Sequence, residues 1–254
     1  MVPSFPYTKR MQTRSALKAV PSIVQLFLFL WLLTSCGSAG TSAAPCRSGT
    51  CSQRTQSKLT YVAIGASDTF GLGTDDPYTQ NWASDLAVEL GHRFRLVNLG
   101  IPGAVMHSAL GLELPVALDA HPDLVTIWLG VNDIADNVPV SSYARDLNRM
   151  LSRLQASAPH VQIAIANIPD ITLLPHFRAY DPQVLHTRIS NYNAAIAANV
   201  ERHHIILVDL AAYNGVIKNH PEYISHDGFH PNDLGYLQLA EVFYQALRSA
   251  HAIA

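Results

Sequence analysis

The stretch "LVTIWLGV", residues 124–131, has a single polar side chain, Thr126. Apolar residues on consecutive positions mark a strand covered on both faces, as in a parallel sheet buried between helices. Four further runs share this character: "LTYVAIGA" (59–66), "FRLVNLGI" (94–101), "VQIAIANI" (161–168) and "IILVDLA" (205–211). Helical patterns lie between and after them. Tyr143, Leu147, Met150, Leu151 and Leu154 recur at spacings of three and four, as do Ile189, Tyr192, Ile196 and Val200. Tyr236, Leu239, Ala240, Phe243 and Leu247 repeat the pattern near the C-terminus. Alternating units of this kind predict an α/β protein, a parallel sheet sandwiched by helices with right-handed crossovers. Ligands of such folds bind at the carboxyl ends of the strands, so the loops there are the places to search.

The 254 residues are 48% hydrophobic, which suits one sizeable globular domain. Residues 1–19 carry Lys9, Arg10, Arg14 and Lys18 and no acid, and they precede the apolar run "VPSIVQLFLFLWLLTSC". That run is short for a bilayer crossing and right for a signal-peptide core. It closes in Leu33-Thr34-Ser35-Cys36, a spacing that resembles the bacterial lipobox, in which the cysteine is lipidated. The expected organisation is a lipoprotein-type signal peptide over 1–35, a Gly/Ser/Thr/Ala tether over 36–57 and one domain over 58–254. Met11 is an alternative start, and an uncleaved anchor an alternative fate. Either way the domain is exported, and lipid on Cys36 would hold it at the membrane. Removal of the leader leaves 13 Lys and Arg against 19 Asp and Glu, a balance of −6 that argues against a nucleic-acid partner. Cys46 and Cys51 in "CRSGTC" can close a small disulfide in an oxidising compartment. A metal site there lacks its other ligands.

Three strand ends and one late loop carry the chemistry. The first run leads into "IGASDTFGLG" (64–73), which has neither the Gly-Lys-Ser/Thr of a phosphate loop nor a dinucleotide fingerprint. Thr69 occupies the second glycine position of G-x-S-x-G, so it is not the elbow of α/β-hydrolases either. Ser67 remains, either capping a helix or presenting its hydroxyl and N–H to the cleft. In "NLGIPGA" (98–104), Gly103 is a turn residue or an opening through which a substrate oxygen reaches the backbone N–H. In "LGVNDI" (129–134), Asn132 is a turn former or a neutral donor suited to an oxyanion. The loop "SHDGFHPND" (225–233) sets Asp227 three residues before His230, with Pro231 stiffening the chain beyond.

In this order, Ser67, Gly103, Asn132 and His230 resemble the four blocks that name the SGNH hydrolases, also called GDSL esterases, over essentially all of 58–254. The resemblance implies a flavodoxin-like three-layer α/β/α sandwich with a five-stranded parallel sheet. It implies a serine esterase that needs no metal or cofactor. Ser67 would attack an ester carbonyl, His230 would take its proton, and Asp227 would fix the imidazole. The N–H groups of Ser67 and Gly103 and the Asn132 side chain would hold the oxyanion. One departure stands out: the family's Gly-Asp-Ser is here Gly65-Ala66-Ser67, with an acid only afterwards at Asp68. His226 is the competing base.

Two loops are candidates for shaping the pocket, 71–82 and 169–183. The second holds Leu173, Leu174, Phe177, Tyr180 and Arg178, which either form an apolar acyl site with a cationic edge or simply pack the loop down. Lipids, lysophospholipids and acetylated carbohydrates remain open as ester substrates. The rival readings are a non-catalytic binding module that keeps the hydrolase fold, and a nucleotide binder, disfavoured by the missing phosphate-loop lysine.

Overall fold

The structure, a computed structural model, describes residues 58–253. The expected signal peptide, tether, Cys36, Cys46 and Cys51 lie outside the described residues. The elements alternate, beginning with β1 (Leu59–Gly65), α1 (Ser67–Phe70), α2 (Trp82–Leu90) and β2 (Phe94–Asn98). Next come α3 (Met106–Leu112), α4 (Leu114–Asp119), β3 (Leu124–Trp128), α5 (Val131–Ala135) and α6 (Val140–Ser157). The chain closes with β4 (Gln162–Ala166), α7 (Pro182–His203), β5 (Ile206–Val208), α8 (Asn214–Asn219) and α9 (Asp233–Ser249). All five strands pair in parallel, as the apolar runs predict, and their order is β2-β1-β3-β4-β5.

Alternation along each strand builds two cores. Val62 and Ile64 of β1, with Val125 and Ile127 of β3, face α3, α4, α6 and α7. The five periodic residues of α6 are fully buried there. On the opposite face Tyr61, Ala63, Leu124 and Trp128 meet α2 and α9. Trp82 stacks on Phe243 across those two helices, with ring centroids 4.2 Å apart. Burying each such ring stabilises the fold by roughly 1.5–3 kcal/mol.

Each strand stops earlier than its apolar run. The run at 124–131 leaves the ladder after Trp128 because Gly130, at φ 134°, turns the chain into α5. A Cβ at Gly130 would also stand 2.8 Å from the Ile168 side chain. Leu129 and Val131 are apolar for other reasons: Leu129 packs in the core, and Val131 lines a cavity. Strand order reverses between β1 and β3, which pair through Gly65 and Trp128. A crevice opens beyond such a reversal. Ser67 and Asn132 lie just past these two strand ends.

Candidate active site

Ser67 sits at the first position of α1, 5% exposed, and does not cap it: the cap is Ala66, which makes no side-chain hydrogen bond there. The serine Oγ instead lies 2.9 Å from His230 Nε2. His230 Nδ1 lies 2.5 Å from Asp227 Oδ2. The three groups form one line along the crevice.

The turn under Ser67 is held from far away in sequence. Gly65 N–H donates to Glu113 Oε2 at 2.8 Å, and Gly65 C=O accepts from Ile101 N–H at 3.0 Å. Asn98 donates to the carbonyl of Thr69 at 2.7 Å. A Cβ on Gly65 would stand 2.0 Å from Thr69 Oγ1, so only glycine fits. Glu113 is 1% exposed, its Oε1 has no hydrogen-bond partner, and burial pushes its carboxyl up to about 8. A protonated acid thus braces the strand end beside Ala66, where the family has aspartate. The sequence reading missed it. The available signal was a single carboxylate inside the apolar stretch "LGLELPVAL" (110–118).

The loop carrying His230 is held locally. Asp227 Oδ1 accepts from Ser225 Oγ and from the N–H groups of Phe229 and His230, all at 2.8–2.9 Å. Burial alone would raise this carboxyl, but the bonds from His230, Phe229 N–H and Ser225 hold it well below the usual carboxylate range. Ser225 N–H donates to the His230 carbonyl at 2.8 Å, closing the loop on itself. Asn232 accepts from Leu234 and Gly235 N–H at 3.1 Å, welding the loop to α9. His226 is exposed and turns toward a separate polar hollow with Thr74 and Asp233.

Gly103 has φ 80°, and a Cβ there would meet nothing within 4 Å. The left-handed backbone, rather than protein crowding, demands glycine. The space before it is open. Asn132 donates one side-chain N–H to the Ala104 carbonyl at 3.0 Å, leaving the other for a ligand. Neighbouring Asp133, fully buried, accepts from Met106 N–H through both oxygens at 3.2 and 3.1 Å. Residues 132–133 therefore fix the 103–106 loop to the end of β3. Burial pushes Asp133 up to about 6.

An apolar cavity, open to solvent, adjoins this line. Trp128, Val131, Leu174, Ile217, Phe229 and Leu239 are among its walls. A much smaller hollow, lined by Ala66 and Asn132, shares Asp68, Trp128, Val131 and Phe229 with it. The 169–183 loop divides between its two expected roles. Pro169, Ile171 and Leu174 line the cavity, whereas Phe177 packs at 5.5 Å on Phe229 and at 5.4 Å on Tyr180. Leu173 and Arg178 face solvent. Most of the remaining walls come from residues 210–224 and α9, which the sequence alone did not assign to a pocket.

A parallel sheet with serine, imidazole and carboxylate strung along the crevice at its strand ends defines an α/β hydrolytic enzyme of flavodoxin-like build. The chain belongs to the GDSL-like Lipase/Acylhydrolase family, whose model matches residues 63–237, and it is an ester hydrolase of that type. It is 27% identical to an arylesterase of Vibrio mimicus over 184 residues, covering 71% of this chain and 84% of that protein. The fold is shared with solved structures at lower identity. TesA superposes with a TM-score of 0.62 at 24% identity, over 75% of this chain and 99% of that one. The esterase EstA from Pseudoalteromonas gives 0.61 at 19%, over 76% and 98%.

Proposed function

We propose that the protein is an exported serine esterase working through a Ser67-His230-Asp227 triad. Ser67 Oγ attacks the ester carbonyl carbon while its proton passes to His230 Nε2. The carbonyl oxygen takes the negative charge and is met by the N–H groups of Ser67 and Gly103 and the free N–H of Asn132. The C–O bond to the alcohol then breaks, and His230 returns the proton to the departing oxygen. Water, deprotonated by the same imidazole, cleaves the acyl-enzyme and restores Ser67. Asp227 stays ionised throughout, held so by the hydrogen bonds it accepts. The observation that carries this reading is the unbroken Ser67–His230–Asp227 contact line.

The substrate is a carboxylic ester, of a lipid, a lysophospholipid or an acetylated carbohydrate, with its apolar part seated in the cavity beside Phe229. The leader and Cys36 would place the enzyme outside the cytoplasm on a lipid tether. The test is hydrolysis of short p-nitrophenyl esters. Ser67→Ala abolishes it on this account, whereas near-normal turnover in that variant removes the nucleophile assignment.

A further inference from the structure

Asp68 follows the nucleophile directly and contributes the sole carboxyl among the residues lining the apolar cavity. It also lines the small hollow that carries Ala66 and Asn132. It therefore stands where the reactive atoms give way to apolar space. The titratable groups that face it are His230, Asp227 and Tyr236. All three are engaged elsewhere. The Tyr236 hydroxyl donates to the Leu72 carbonyl at 2.6 Å, and the two His230 nitrogens pair with Ser67 and Asp227. Among the described residues, the Asp68 carboxyl is left with its own backbone amide.

Burial raises this carboxyl to about 6, the nearby His230 opposing the rise, so at neutral pH it is ionised. An ionised carboxylate beside an apolar cavity is tolerable while water reaches it. A plain alkyl chain filling the cavity would strip that water and return no hydrogen bond, which is costly. A chain bearing a donor at the right depth would replace the water. The aromatic rings of Trp128 and Phe229 among the cavity walls would tolerate that donor even if it were cationic.

We propose that Asp68 selects esters whose cavity-seated group carries a hydrogen-bond donor, hydroxyl or ammonium, within the first few atoms of the scissile carbonyl and is apolar beyond it. This rests on the reading of Ser67 as nucleophile. Sites built to bond a polar substituent reject analogues lacking it far more strongly than apolar pockets discriminate by size.

The test compares kcat/KM for p-nitrophenyl hexanoate, 3-hydroxyhexanoate and 3-aminohexanoate in the wild type, Asp68→Asn and Asp68→Leu. The wild type should favour at least one donor-bearing ester over hexanoate by about tenfold or more. Asp68→Leu should bring both ratios to one or below. Asp68→Asn, close to isosteric, guards against a misfolded leucine variant. It should lose preference for the ammonium ester while keeping part of any preference for the hydroxyl, so the arms separate the two donors. A wild-type ratio near one for both esters, or ratios unchanged in both variants, overturns the proposal. Hydrolysis of p-nitrophenyl acetate, which is too short to fill the cavity, separates the two readings. If it depends on Ser67 while the ratios are flat, only the Asp68 proposal falls. If it persists in Ser67→Ala, the nucleophile reading falls.

Discussion

The two halves of the candidate site are supported in opposite ways. The His230 half is mainly local: Ser225, Asp227, Phe229 and Asn232 lock the loop through bonds that span two to five residues, with one remote bond from His176 N–H to the Gly228 carbonyl at 3.0 Å. The Ser67 half is remote: its turn leans on Asn98, Ile101 and Glu113, brought together only by the sheet and α4. The local half can be partly exposed because short-range bonds hold it. The remote half needs a dry interior, which is why its bracing carboxyl is protonated near neutrality. A site can thus join a loop held mainly by its own bonds to an element that exists only once the sheet is complete.

The sharpest way to break this contrast is at the local half. Asp227→Asn can keep the hydrogen bonds to Oδ1 but presents the wrong partner to the imidazole, so turnover should fall by roughly 10⁴-fold, with a drop in melting temperature because the charge that the loop's donors hold is gone. Steady-state kinetics alongside a melting curve measure both. Asn132→Ala comes next, lowering turnover roughly 100- to 1000-fold with a smaller effect on KM. At the remote half, Glu113→Leu leaves the Gly65 N–H unpaired in the interior. It should cost about 1–3 kcal/mol in denaturant unfolding. It should also lower kcat more than KM changes, with Glu113→Gln recovering most of the loss. A Glu113→Leu variant that lost stability but kept full kcat would make the brace purely structural.

The same carboxyl predicts a pH dependence. Its folded value of about 8 lies above the ordinary 4.5, so its stabilising contribution is complete below about 4.5 and is lost as pH rises through about 8. The melting temperature of the wild type relative to Glu113→Gln should therefore drop between pH 5 and pH 9. Asp227, shifted the other way, contributes stability above its ordinary 3.8 that is lost only in stronger acid. The smallest expected effect is His226→Ala, which should leave ester hydrolysis within about twofold because that ring is exposed and off the contact line.

What could be read from the sequence follows the same division. The sheet was legible because doubly covered strands write consecutive apolar residues, and α6 because its buried face repeats at helical spacing. Asp227 and His230 were legible because their spacing is itself the structure. The strand ends were overextended, since Leu129 and Val131 are apolar for the core and the cavity rather than for the ladder. Glu113 was missed because its partner lies 48 residues away, so a lone carboxylate in an apolar stretch gave no hint of what it braces. The cavity was half seen. Its 169–174 wall lies within one of the two candidate loops, whereas the other, 71–82, lines neither hollow beside the site, and Ile217 and Ile224 approach the cavity only through the fold of the segment after β5.

The central claim is that His230 makes Ser67 a nucleophile, and covalent trapping tests it most directly. After incubation with a fluorophosphonate, intact mass should rise by one adduct, mapped by peptide sequencing to Ser67. The adduct should be absent in Ser67→Ala and strongly slowed in His230→Ala. A wild-type protein that stays unlabelled, or an adduct on another residue, would contradict the account.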